Sequence, residues 1–277
     1  MIVMTIKGGL GNQLFQYACG RALALRLKTE LKLDLFWYIR RGDFDSTYGQ
    51  YYYLNHFNIQ ESIVDKDELT KIKFFNEPNF TFCKQIFRLA GDLHLEGYWQ
   101  SEKYFEEITD ILLKEFTLKD SLDLANKQML GTIEDTQNSV CVHVRHGRDL
   151  AIVPKFVNLF GADYYTKGIE AILKVKKNAV FFVFSDNMRW AKENLNENKY
   201  PIVFVDNNNN NSCYLDLHLM SSCQHHIMPA STFSWWAAWL ASHKKFDESI
   251  VLRPPHYFAV ANVDDKDLFP NSWKVLV

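Results

Sequence analysis

Short apolar runs alternate with longer amphipathic stretches along this chain, the pattern of strands and crossover helices in an α/β protein. Ile2-Val3-Met4-Thr5-Ile6 has the composition of a buried strand, and an Ala- and Leu-rich helix is expected to start near Leu14. Leu31 to Phe36 reads as a second strand. Residues 38–60, rich in Tyr, Arg and Gly, predict irregular structure. Residues 61–130 are mixed, with helices expected at 65–73 and 101–115, and a polar helical stretch covers 119–137. Beyond it the alternation is regular. Strands are expected at 139–144, 179–184, 202–205, 225–228 and 250–252, with helices at 163–177, 187–195, 212–223 and 232–243. Asn207 to Asn211 predict a solvated, mobile loop. Neither an internal repeat nor a long linker interrupts the series. The expected architecture is α/β with parallel sheets, divided near residue 130 into two Rossmann-like halves, 1–130 and 131–277. They are expected to face a cleft, with ligand at the strands' C-terminal ends.

Composition narrows this picture. With 277 residues, 47% of them hydrophobic, the chain supports a full core. A formal net charge of −2 without a basic face argues against nucleic acid as the main partner. The five cysteines, Cys19, Cys83, Cys141, Cys213 and Cys223, include no C-x-x-C pair and mostly lie in apolar runs. They read as reduced residues, with no zinc site and no disulfide framework. No signal peptide and no apolar run of about 18–20 residues is visible, so a cytoplasmic protein without a transmembrane span is expected, free to touch the inner membrane face.

Candidate chemistry gathers at predicted strand ends. Gly8-Gly9-Leu10-Gly11-Asn12-Gln13 follows the first strand and opens a helix. Glycines let main chain approach a ligand, and a helix N-terminus presents N–H groups to an anion, so a phosphate-bearing ligand is the first inference. The spacing is neither G-x-G-x-x-G nor a Walker loop, so neither a dinucleotide nor ATP follows. His143-Val144-Arg145-His146-Gly147-Arg148-Asp149 ends a strand with charges that a core does not accept unpaired. Arg145 suits a phosphate through two parallel N–H bonds, while an ion pair of Asp149 with Arg145 or Arg148 is the structural alternative. Ser185-Asp186-Asn187 ends the next strand and also fits a helix cap. Ala230-Ser231-Thr232-Phe233-Ser234-Trp235-Trp236 opens a late helix, where hydroxyls and N–H groups suit either a phosphate or a plain cap. Trp235, Trp236 and Trp239 read as core.

Taken in order, G-G-L-G-N-Q, the strand ending H-V-R, the strand ending F-S-D and S-T-F-S-W-W-A-A-W-L resemble the bacterial α-1,2-fucosyltransferases of glycosyltransferase family 11. Tyr164-Tyr165, Asp216 with Leu219-Met220, and Asp267-Leu268-Phe269-Pro270 with Trp273 extend the resemblance over some 260 residues. The resemblance implies a GT-B-like fold with residues 1–130 on the acceptor side and 131–277 binding the GDP-sugar. It also implies a GDP-fucose donor, inversion at the anomeric carbon, and neither a metal nor a further cofactor. By it, His143 and Arg145 fall on the first family motif, where the arginine holds the donor diphosphate. Gly9, Gly11 and Asn12 fall on the glycine motif, Asp186 and Asp216 near the nucleoside, and Ser231, Thr232 and Phe233 near the phosphates. Asn12 and Asp149 are the two candidates for meeting the acceptor hydroxyl. A glycan acceptor, galactose-terminated and lipid-linked in O-antigen or capsule assembly, is the implied partner.

The chain departs from the family pattern twice. The usual motif resembles H-x-R-R-x-D, whereas His146 takes the second arginine's place and Asp149 is displaced by one residue; Ala230 stands where Asn is usual. Both leave room for another GDP-sugar or linkage, and a nucleotide- or sugar-binding module without turnover is the reading from a different class. Tyr38-Ile39-Arg40-Arg41-Gly42-Asp43 imitates the first motif but lacks its histidine and strand.

Overall fold

The computed structural model describes residues 1–40, 51–146, 157, 159–244, 246–260 and 262–277. Two compact units make up the chain: residues 1–120 with 264–270, and residues 121–263 with 271–277.

The first unit begins with β1 (Ile2–Thr5), α1 (Leu10–Leu27), β2 (Leu31–Asp34) and α2 (Phe36–Arg40). It continues with β3 (Lys73–Asn76), β4 (Leu93–Glu96) and α3 (Thr109–Glu115). Its four strands are all parallel, in the order β2-β1-β4-β3. Every residue of β1 is buried, as befits an inner strand of a parallel sheet. Helix α1 starts at Leu10 rather than near Leu14, so Gly11 and Asn12 lie in its first turn instead of in a loop. Gly8 carries the bend, at a φ of +80° that a side chain would strain. Two donors fix its carbonyl, Gln13 Nε2 at 2.9 Å and the Tyr38 hydroxyl at 2.8 Å. A buried carboxylate joins α1 to α3: Glu115 accepts from the Tyr17 hydroxyl at 2.7 Å and from Arg21 Nε at 3.0 Å.

Between β2 and α3 the sequence expectation needs correction. The helix expected at 65–73 is a 3-10 helix, Lys66–Lys71, and β3 follows it. Of the helix expected at 101–115, only Thr109–Glu115 is α-helical. β3 is an exposed edge strand and β4 has only two buried leucines, so neither leaves a strong apolar run to read.

The second unit runs α4 (Leu124–Asp135), β5 (Ser139–Val144), α5 (Ala162–Val175), β6 (Val180–Ser185) and α6 (Met188–Asn194). It continues with β7 (Ile202–Phe204), α7 (Cys213–Met220), β8 (His225–Ile227), α8 (Thr232–Ser242), β9 (Val251–Arg253) and β10 (Lys274–Val275). Helix α4 spans residue 130 and belongs to this unit, so the division falls earlier than the sequence suggests. The six strands are parallel in the order β7-β6-β5-β8-β9-β10. Numbered from β5, that is the doubly wound order 3-2-1-4-5-6. Phe181, Phe182, Val140 and Val142 are fully enclosed in its centre, each worth about 1.5–3 kcal/mol through apolar burial. Trp235, Trp236 and Trp239 pack against one another on α8 and are core, as expected.

The asparagine run is not a free loop. Asn208 and Asn126 exchange two amide hydrogen bonds of 2.9 Å each, and Asn208 Nδ2 also donates to Asp216 at 2.7 Å. Asn126, almost fully buried on α4, requires such a partner, which composition alone does not reveal. The five cysteines are free thiols, four of them buried. Among the described residues no helix is long and apolar enough to cross a membrane.

Candidate functional site

In a doubly wound sheet, ligands bind where the strand order reverses, outside the carboxyl ends of the strands. In the second unit that point lies between β5 and β8. The segment leaving β5 carries Arg145 and His146, and the segment leaving β8 carries Ala230 and the start of α8. Arg145 Nη1 donates to the Ala230 carbonyl at 3.4 Å, which joins the first and third sequence motifs. Its backbone N–H donates to the Tyr165 hydroxyl at 3.3 Å.

Each neighbour of Arg145 is held by the fold. His143, the buried penultimate residue of β5, shares a hydrogen bond between Nδ1 and the Ser234 hydroxyl on α8. Burial, reinforced by the Arg145 charge, pushes its pKa down to about 3, so the ring is neutral at physiological pH. His146 stacks flat on Trp190, with ring centroids 4.0 Å apart and planes within 8°. Its backbone N–H donates to Asp186 Oδ1 at 2.7 Å, and its carbonyl accepts from Asn187 Nδ2 at 3.0 Å. Asn187 in turn caps α6 by accepting from the Trp190 N–H, so the cap reading belongs to Asn187 and not to Asp186. Ser231 is the N-cap residue of α8, yet its side chain makes no capping bond. Ser231 is buried and Thr232 and Phe233 are half-buried in that turn.

Asp216 belongs to the Asn208–Asn126 network on α7, and burial raises its pKa to about 6. Asp149 and Arg148 lie outside the described residues, as do residues 41–43 of the look-alike motif.

In the first unit, Gly9 is the N-cap of α1, with Gly11 and Asn12 in the opening turn. Asn12 is half-buried, and its Oδ1 accepts from Gln100 Nε2 at 3.1 Å. At the ends of β1 and β2, Asp34 accepts from the Phe36 N–H at 2.8 Å and pairs with His94 at 3.2 Å. Burial opposes its ionisation, but the bonds from His94 and Phe36 outweigh it and hold the carboxyl below the usual range. Asp34 is therefore committed to His94 and the start of α2.

Known proteins bear on this arrangement. The family model described as glycosyl transferase family 11 matches residues 67–275. The chain belongs to glycosyl transferase family 11. This glycosyltransferase is 32% identical over 296 residues to an alpha-1,2-colitosyltransferase of Escherichia coli, covering 99% of this chain and 98% of the relative. It is 29% identical to the O-antigen biosynthesis glycosyltransferase WbnK of the same organism, covering 97% of this chain and 98% of WbnK. Among solved structures, fucosyltransferase NodZ from Bradyrhizobium superposes with a TM-score of 0.56 at 14% identity, covering 86% of this chain and 92% of NodZ. That likeness fixes the fold of this glycosyltransferase as GT-B-type, as expected.

Gln16, Glu77 and Gln100 escaped the sequence reading, and Gln13 and Tyr38 entered it only as members of motifs, with no role of their own. Only folding brings these five to the glycine turn or the segment after β4.

Proposed function

We propose that this glycosyltransferase moves L-fucose from GDP-fucose to the 2-hydroxyl of a galactoside, with inversion at the anomeric carbon and without a metal ion. The observation that carries the reading is Arg145 bonded to the Ala230 carbonyl at the order reversal of the second sheet, in a chain of family 11. Breaking the bond between the anomeric carbon and GDP leaves negative charge on the diphosphate, which must be met as it develops. The Arg145 guanidinium meets it with paired N–H donors, and the first turn of α8, from Ser231 through Thr232 and Phe233, adds N–H groups and the helix dipole. The guanidinium thus supplies, by charge and N–H donation, the stabilisation of the leaving diphosphate that a divalent ion could also provide. His143, neutral and bonded to Ser234, holds the end of β5 against α8. Asp186 and Asp216 are assigned to the nucleoside side.

In the first unit, Gly9 and Gly11 serve the donor side, and Asn12 orients the acceptor hydroxyl. Asp149 is the candidate base. A transition state with an extensively broken glycosidic bond asks little of a base, so alignment of the hydroxyl suffices.

A second reading, GDP-colitose as donor, is favoured by the E. coli colitosyltransferase, whose similarity spans nearly the whole of both chains. Colitose is fucose without the 3-hydroxyl. A site that hydrogen-bonds this hydroxyl rejects the deoxy sugar by about 10⁴-fold or more, whereas an apolar site discriminates only weakly.

The test is to offer each GDP-sugar with lactose and other β-galactosides, with and without EDTA, and to determine the product linkage by NMR. A fucosylated product joined α-1,2, formed at equal rates with EDTA, is expected. Release of GDP with neither donor on any galactoside would refute both readings.

A further inference from the structure

In the first sheet β1 and β4 are adjacent and parallel, so the segments leaving their carboxyl ends are neighbours. One is the glycine turn that leads to Asn12. The other is Gly97-Tyr98-Trp99-Gln100-Ser101, a turn fixed at every residue. Gly97 offers its carbonyl to Gln16 Nε2 at 3.1 Å, and a Cβ on Gly97 would sit 2.4 Å from that of Glu77. The half-buried Glu77 carboxylate accepts from the N–H groups of Tyr98 and Trp99 at 2.7 and 3.0 Å. Trp99 is held at a φ of +55°, left-handed for a bulky residue. Ser101 is anchored by its hydroxyl, which donates to the Asp267 carbonyl at 2.6 Å. Such over-determined strain is characteristic of sites where a side chain has to be aimed.

The side chain so aimed is Gln100. Only 6% exposed, it gives Nε2 to Asn12 Oδ1 at 3.1 Å while its own Oε1 is enclosed without a partner among the described residues. An orphaned buried carbonyl is unfavourable, and a methionine would fill the same space without it. What glutamine adds over an apolar side chain here is the N–H bond to Asn12. That bond engages Asn12 Oδ1 and leaves the carboxamide's Nδ2 to act as a donor. Nδ2 lies over the Gly8 α-carbon, where a Cβ would come within 2.8 Å of it.

We propose that Gln100 is the positioning residue for Asn12, fixing its carboxamide so that Nδ2 donates to the oxygen of the glycan acceptor hydroxyl. This rests on the reading of Asn12 given under the proposed function. Asn12 then acts as an aligning donor and takes no proton.

The experiment compares Gln100→Met and Gln100→Glu with the parent enzyme, measuring kcat, both KM values, GDP affinity by calorimetry and thermal stability. Gln100→Met removes the donor and the orphaned carbonyl together. It is expected to lower kcat at least tenfold while leaving GDP affinity within twofold and the melting temperature equal or higher. Gln100→Glu, which offers Asn12 an acceptor and inverts its carboxamide, is expected to be at least as slow. Packing alone would not separate rate from stability in this way. Turnover within twofold of the parent in both variants overturns the proposal, as does a rate loss matched by parallel losses of GDP affinity and melting temperature. A parent enzyme that transfers neither fucose nor colitose overturns the functional reading itself, and the role of Gln100 falls with it. Full activity of Asn12→Ala beside an active parent overturns only the assignments of Asn12 and Gln100.

Discussion

Nδ1 of His143, at the end of β5, and the hydroxyl of Ser234, in the first turns of α8, share a hydrogen bond that ties together the two elements flanking the sheet's order reversal. Burial depresses the imidazole to about 3, so the folded chain refuses a proton that the unfolded chain accepts near pH 6.5. The folded state therefore loses stability as pH falls below 6.5. His143→Gln removes this liability. The stability gap between the native sequence and His143→Gln is expected to shift in the variant's favour by about 1.4 kcal/mol for each pH unit between 6 and 4. Urea denaturation of both at pH 7, 6 and 5 measures it, and a gap independent of pH would contradict the neutral, buried state of the ring.

Arg145 faces the start of α8 through the Ala230 carbonyl. Loss of one donor to a developing oxyanion is worth about 3–4 kcal/mol in the barrier. Arg145→Ala is accordingly expected to slow transfer about a hundredfold or more. Arg145→Lys should recover little, because an ammonium cannot supply two parallel N–H bonds. Steady-state GDP release reads both, and near-parental turnover in Arg145→Ala would remove this residue from the site.

The Asn208 side chain satisfies Asn126 and Asp216 together. Asn208→Ala strands a buried amide on α4, and the expected loss is about 1–3 kcal/mol of stability. Thermal unfolding checks the loss. The Asp216 pKa, which this bond lowers against burial, should rise further in the variant, as NMR titration would show.

Gly8→Ala forces a side chain into a left-handed turn and brings its Cβ within 2.8 Å of Asn12 Nδ2. Strain of about 1–2 kcal/mol follows from the backbone alone. Transfer is expected to fall more than thermal stability does, because the clash displaces Asn12. Parallel kinetic and melting measurements separate the two effects, and unchanged transfer would argue against a role for the Asn12 side chain.

The second half of the fold was legible because β5 and β6, at the centre of its sheet, are largely apolar and bounded by turn residues, as in Val180–Ser185, and its helices fill the gaps. The first half was less so. β3 is an exposed edge, and β4 alternates Leu93 and Leu95 with His94 and Glu96 over a span too short to stand out. The site divided in the same way. Arg145, Ser231 and Thr232 announce themselves as polar residues at strand and helix ends. Gln100 does not, because its significance lies in a bond to a residue 88 positions earlier.

Asp267 belongs to the first unit although most of the second precedes it in the chain. Its carboxylate accepts from the Phe82 N–H at 3.0 Å and binds the Lys103 ammonium, and its carbonyl receives the Ser101 hydroxyl. A recombinant fragment ending at residue 120 would strip away all three anchors and release the turn that aims Gln100. Dissection of this enzyme into separately expressed lobes thus requires grafting residues 264–270 back onto the N-terminal piece, and a chimera that exchanges lobes between relatives must carry that peptide with the lobe it completes.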